Sequence, residues 1–217
     1  MTNILMSTFQ AKSGWNNILQ RYLENKKVLV IPFAFGDIVK NERDWLKIYG
    51  LRSKYYLQTV NPLVSFGVNK KDISWAKYYS DTSRTLKEKI SEADVLFFSG
   101  GYPDLMMKRL KDMDVIKSIQ KFKGTVIGFS AGAMVQIENF HITPDKDYNH
   151  FSYHYSLELL HGFDIEVHYE KSNDHEVYID KVITERNIPV YAIGDNGIVI
   201  VEDNQFKSYG DVTYYHV

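Results

Sequence analysis

The sequence predicts an α/β protein with a doubly wound, mostly parallel sheet and helices on both faces. Three observations lead there. Apolar runs such as KVLVIPFAF at residues 27–35 and DVLFFS at 94–99 have no polar face, which suits strands covered on both sides. Helix-like segments separate these runs, and strand–helix alternation marks this fold class. The 217 residues suffice for one such domain with a full core, and no Pro/Gly/Ser-rich linker or repeat divides them, so a single domain spans residues 1–217 on this reading.

The elements follow in order. Residues 3–9 (NILMSTF) read as the first strand and 15–24 as an amphipathic helix. Residues 27–35 supply the second strand. A short helix is expected over 41–49 and a third strand over 63–68. Residues 83–92 have helical periodicity and lead into the buried strand at 94–99. One or two helices fill 105–122, and 124–129 (GTVIGF) is a central strand. Beyond Ala133 the pattern loosens, and 139–155, polar, aromatic and histidine-rich, reads as a long loop. A strand is expected over 162–168 and a helix over 174–186. Residues 189–193, 197–202 and 205–209 then read as short strands joined by tight turns.

Composition narrows the chemistry. Apolar residues make up 44% and charged residues 24%, with a formal net charge of -1, so electrostatics give no reason to expect nucleic acid or an anionic membrane as partner. A small peptide or other small molecule fits better. With no cysteine in the chain, disulfides, thiolate nucleophiles and cysteine zinc sites are excluded. The first fifteen residues have no signal-peptide pattern and no run approaches a membrane span, so a cytoplasmic protein is expected.

Gly128-Phe129-Ser130-Ala131-Gly132 fits G-x-S-x-G. A buried strand runs straight into it and small residues can open a helix after it, the context in which the pattern marks a serine nucleophile. Small neighbours permit a sharp, strained turn that exposes the hydroxyl, and a helix N-terminus favours negative charge there. The plainer alternative is a serine capping a helix. Gly100-Gly101 follows the 94–99 strand, where two glycines let backbone N–H groups approach a ligand. In a hydrolase these amides would form an oxyanion hole with that of Ala131. The alternative is an ordinary turn before Pro103.

A serine nucleophile needs a base, usually histidine, oriented by an acid. Six of the seven histidines lie between His141 and His175. His168 stands out because it follows the strand Phe163-Asp164-Ile165-Glu166-Val167, and sites in such sheets collect residues at carboxyl ends of strands. The seven-residue spacing of His154, His161, His168 and His175 is coincidence, because Gly162 breaks any common helix. No H-E-x-x-H pattern supports a metal, and the reading requires no cofactor. Asp195, in Gly194-Asp195-Asn196-Gly197, is the candidate acid, although Asp-Asn-Gly is also hairpin chemistry. Two other readings stay open. One is an α/β-hydrolase-type esterase with the order Ser130, Asp195, His216; the other is a non-catalytic binder of small molecules or peptides.

Together these segments resemble the dipeptidase E and cyanophycinase family of serine peptidases, whose fold is related to class I glutamine amidotransferases. The likeness runs from about Val28 to Tyr209. It rests on Val30-Ile31-Pro32-Phe33-Ala34, Phe97-Phe98-Ser99-Gly100-Gly101, the Ser130 motif and Gly162 through Tyr169. The resemblance implies Ser130 as nucleophile, His168 as base, and the amides of Gly100, Gly101 and Ala131 around the oxyanion. It matches the family's acid to Asp195, an Asp where dipeptidase E has Glu. Tyr102-Pro103 stands where family members often carry Asn-Thr. The amidotransferases use cysteine, which this chain lacks.

Overall fold

In a computed structural model, which describes residues 1–10 and 14–217, the apolar runs become strands of one eight-stranded sheet. β1 (Thr2–Met6), β2 (Val28–Ile31), β3 (Ile73–Trp75), β4 (Val95–Phe98) and β5 (Thr125–Phe129) lie in the order β1-β5-β4-β2-β3. All four pairings in this group are parallel. Beyond β1 come β9 (Val190–Glu202), antiparallel to it, and β10 (Gln205–Tyr215), antiparallel to β9. β8 (Asp164–Val167) pairs parallel with β9. The expected mostly parallel sheet is present, with an antiparallel hairpin at one side.

Strand alternation divides the core in two, because successive side chains point to opposite faces. Leu5, Leu29, Ile31, Leu96, Phe98 and Val126 face one layer, and Ile4, Met6, Val28, Val30, Phe97 and Ile127 the other. The first layer holds α4 (Ser83–Glu92), α5 (Pro103–Asp112), α6 (Ile116–Gln120) and the single turn α7 (Ala131–Met134), through Leu86, Met106, Ile119 and Ala133. The second holds α1 (Asn16–Leu23) and α3 (Lys54–Ser65), through Leu19 and Leu63. α2 (Glu42–Tyr49) contributes Trp45 and Tyr49 to a separate aromatic cluster. This is the doubly wound arrangement. Among the described residues, no helix is long and apolar enough to cross a membrane.

Three sequence expectations need correcting. Residues 63–65 end α3 rather than starting a strand. The Ser53 side chain caps the helix by accepting from Tyr56 N, and Thr59, Val60 and Leu63 bury one face at helical spacing. The third strand comes later, at Ile73–Trp75. Residues 139–155 are not simply loop, since β6 (Asn139–Ile142) and β7 (Ser152–Tyr155) pair antiparallel within them. Finally, residues 189–202 do not form two strands joined by a turn at Asp195. They form one long β9, and the hairpin turn sits at Asp203-Asn204, both left-handed with φ of 49° and 61°. The last helix, α8 (Asn173–Arg186), agrees with expectation.

Candidate active site

β4 and β5 are neighbouring parallel strands, with Phe98 opposite Gly128. Their following residues therefore leave the same edge of the sheet side by side. Gly100 packs against the serine so closely that a Cβ there would stand 3.3 Å from Ser130 Cβ and 2.7 Å from the Phe129 ring. Ser130 itself adopts φ 51° and ψ −122°, a strained conformation for a non-glycine residue. Its amide donates to Met6 O at 2.8 Å, tying the turn to β1. The turn behind it is anchored by Gln136, whose Nε2 donates to Gly132 O at 3.0 Å and whose Oε1 accepts from Asn3 at 2.9 Å. The Ser130 side chain makes no capping bond to α7, so the capping alternative does not describe it.

Gly101 has φ 128°, and a Cβ there would strike Ala34 O, which already accepts from Tyr102 N at 2.8 Å. Among the described residues, neither the Gly100 nor the Gly101 amide enters a backbone hydrogen bond. Gly101→Ala is expected to lower stability by about 1–3 kcal/mol, measured by chemical denaturation.

The other half of the site forms where two strands meet head-on. The second half of β9 pairs with β1 up to Met6 opposite Ile198, while its first half pairs with β8 up to Val167 opposite Ile193. The carboxyl ends of β1 and β8 thus converge on residues 194–197 of β9. Ser7 Oγ bridges the gap, donating to Ile193 O at 2.5 Å and accepting from His168 N at 2.9 Å. Thr8 Oγ1 donates to Asp195 O at 2.8 Å. His168, left-handed with φ 55°, has Nδ1 2.9 Å from Asp195 Oδ1. Both side chains are open to solvent, at 48% and 62% exposure. Ser7 went unnoticed because the sequence reading placed it inside a first strand over 3–9, whereas β1 ends at Met6 and leaves its hydroxyl at the strand's carboxyl end.

Ser130, Gly101 and His168 all border two cavities. One, of about 790 Å³, is largely apolar, with Phe9, Tyr55, Leu57 and Pro62 in its wall. The other, of about 310 Å³, presents Glu166, Glu170, His175 and Tyr148. No hydrogen bond joins Ser130 to His168 in this arrangement, but they face common space. His216 packs against Tyr214 at a centroid distance of 4.5 Å and lines neither cavity. The Ser130–Asp195–His216 order is therefore not assembled here.

Behind the smaller cavity lies a buried ionic cluster that sequence reading missed. His141 Nε2 is 2.6 Å from Glu166 Oε2, and its Nδ1 is 3.1 Å from Asp164 Oδ1, an ion pair without hydrogen-bond alignment. Arg186 pairs with Asp164. Thr143 Oγ1 donates to Glu166 at 2.9 Å, and His175 Nδ1 lies 3.1 Å from its other oxygen. Burial alone would discharge His141, yet Asp164 and Glu166 outweigh it and push its pKa up to about 10. Burial would likewise raise Glu166, but His141, His175 and Thr143 hold it down to about 2. His175 is raised chiefly by Glu166.

The signs of these shifts set a stability window. The His141 contribution is complete below the ordinary 6.5 and is lost as pH rises through about 10. That of Glu166 is present above the ordinary 4.5 and is lost as pH falls through about 2. The thermal midpoint should therefore decline on both flanks of a plateau between 4.5 and 6.5, and scanning calorimetry across pH checks this. A midpoint still rising above pH 8 would contradict it.

The comparisons with known proteins bear on family and fold. The family model described as Peptidase family S51 matches residues 4–209. A crystal structure of a candidate peptidase E protein from Listeria monocytogenes EGD-e superposes with TM-score 0.69 at 19% identity, covering 96% of this chain and 97% of that one. The crystal structure of a peptidase from an acI-B1 Actinobacterium gives 0.70 at 15% identity, covering 99% and 90%. At these identities the two structures speak for the fold alone, and it is the class I glutamine amidotransferase-like fold expected above. Among curated proteins, cobyrinate a,c-diamide synthase of Methanocaldococcus jannaschii is 25% identical over 135 residues. That is 55% of this chain but only 28% of the relative's length.

Proposed function

The chain belongs to peptidase family S51; from that premise we propose that it is a serine-type peptidase in which Ser130, His168 and Asp195 form the catalytic triad and which cleaves small peptides. The observation that carries this is the convergence of a strained serine and an Asp-bonded histidine on the same cavities. His168 uses Nδ1 to donate to Asp195, leaving Nε2 as the nitrogen that can take a proton. Catalytic hydrogen bonds are often long in free enzymes and tighten once substrate arrives, so the open Ser130–His168 pair is compatible with this role.

The reaction follows from these placements. Ser130 Oγ attacks the scissile carbonyl carbon as His168 Nε2 removes its proton. The carbonyl oxygen becomes an oxyanion, held by the amides of Gly100, Gly101 and Ala131. Collapse breaks the C–N bond, and the proton on His168 passes to the leaving amine. Water, activated by the same imidazole, then hydrolyses the acyl-enzyme. Ser130 lies between the two cavities, so a short peptide can extend to either side of its scissile bond.

Covalent labelling tests the assignment. A fluorophosphonate probe should modify Ser130, identified by peptide mass mapping, and His168→Ala should abolish that labelling. Folded protein that never labels, or a folded H168A variant labelling at the wild-type rate, would count against the triad.

A further inference from the structure

His141 lies 25 residues before Glu166 in the chain, yet it holds the segment that ends in His168. Asp164 and Glu166 are alternate residues of β8 and so project from the same face of the strand. Both are buried, and one imidazole meets both, at 3.1 Å and 2.6 Å. Among the described residues, β8 has only β9 as a partner strand. Its opposite side leans on β6, which carries His141. Arg186 adds a second tie, pairing with Asp164 while Nη1 donates to Asn139 O of β6 at 3.0 Å.

Charge balance shows what the ring must be. Two buried carboxylates bring two negative charges, and Arg186 supplies one positive. The second must come from an imidazolium, and of the two rings in contact His141 is the one that is fully buried and meets both carboxylates, whereas His175 touches only Glu166 and is partly exposed. Two other titratable groups face the cluster: His175 of α8, which touches Glu166 from the cavity side, and Tyr153 of β7, whose ring lies against Arg186 and feels the Asp164 charge. Phe151 stacks on the His141 ring at 5.6 Å and closes it off from water.

We propose that His141 is a positioning residue: as a buried imidazolium bridging Asp164 and Glu166 it pins the carboxyl end of β8 to the β6–β7 hairpin, and so fixes where His168 meets the site. This rests on the reading of His168 as base. Loss of the cation would free the two carboxylates to repel, displacing a strand end only two residues from the working imidazole. A displacement on the scale of 1 Å at a catalytic group can lower rate by about 10²-fold.

Two measurements test it. Nitrogen NMR of wild-type protein with ring-labelled histidine should show both His141 nitrogens protonated well above ~6.5, where free histidine loses its charge. A neutral tautomer at pH ~8 overturns the proposal. The second measurement is the rate at which a fluorophosphonate labels Ser130. His141→Gln should slow it by about tenfold to 10²-fold while the variant still melts cooperatively. Adding Glu166→Gln, which restores charge balance, should recover much of that loss. A folded H141Q variant labelling at the wild-type rate, or a double variant no faster than H141Q, overturns the proposal. If wild-type protein itself does not label, the triad reading fails instead, and the NMR result still decides the bridge.

Discussion

Ser130→Ala is expected to lower kcat/KM by about 10⁶-fold and to abolish fluorophosphonate labelling, as removal of a triad nucleophile does elsewhere. The residual rate should stay above the uncatalysed one if the Gly100, Gly101 and Ala131 amides form the proposed oxyanion hole, since they would still stabilise the oxyanion. The fold should be unaffected, since the Ser130 side chain makes no capping bond. Ser130→Gly separates the two roles of the residue more sharply. It removes the same hydroxyl but relieves a φ of 51°, so it should gain about 1–2 kcal/mol of stability while losing the same activity. Activity assays beside denaturation curves check both. If S130A keeps wild-type activity, the nucleophile lies elsewhere.

Removing the proposed base should be nearly as damaging. His168→Ala is expected to lower the rate by about 10⁵–10⁶-fold, and because the triad acts as a unit, the Ser130→Ala/His168→Ala double variant should be scarcely worse than either single one. Additive losses would indicate that the two residues do not cooperate. Asp195→Asn keeps the shape but no longer favours the required tautomer or the charged ring, a change that can lower rate by about 10⁴-fold. Asp195 is 62% exposed here, so solvent screening should soften the effect toward about 10²-fold. The ordering His168→Ala well below Asp195→Asn, itself well below wild type, is the result to look for in steady-state kinetics. Equal activity of Asp195→Asn and wild type would remove Asp195 from the triad.

Much of this was legible before any coordinates. β2, β4 and β5 are apolar on both faces, and that pattern alone implies strands buried between helix layers. The G-x-S-x-G and Gly-Gly segments each follow such a strand, which places them at carboxyl ends. Residues 63–68 misled because a short apolar run does not distinguish a strand from the end of a helix. Asp195 misled differently. Asp-Asn-Gly is hairpin chemistry, but here it forms an irregularity inside one long β9, which pairs with β10 on both sides of it, at Ile193 and Gly197, while its other edge passes from β8 to β1.

What the sequence determined by itself was local: the strained serine turn, the glycine pair beside it, and a histidine at a strand end. Their chemistry is written in residue types and spacings of a few positions. The tertiary structure decided what meets what. Ser7 reaches His168 across 161 residues, Asp195 reaches it across 27, and His141 reaches Glu166 across 25. Such contacts depend on strand order and register, which are set by the packing of the whole sheet. Ser130 could be found from five letters, but the partners that would make it a nucleophile are fixed by where β1, β8 and β9 come together.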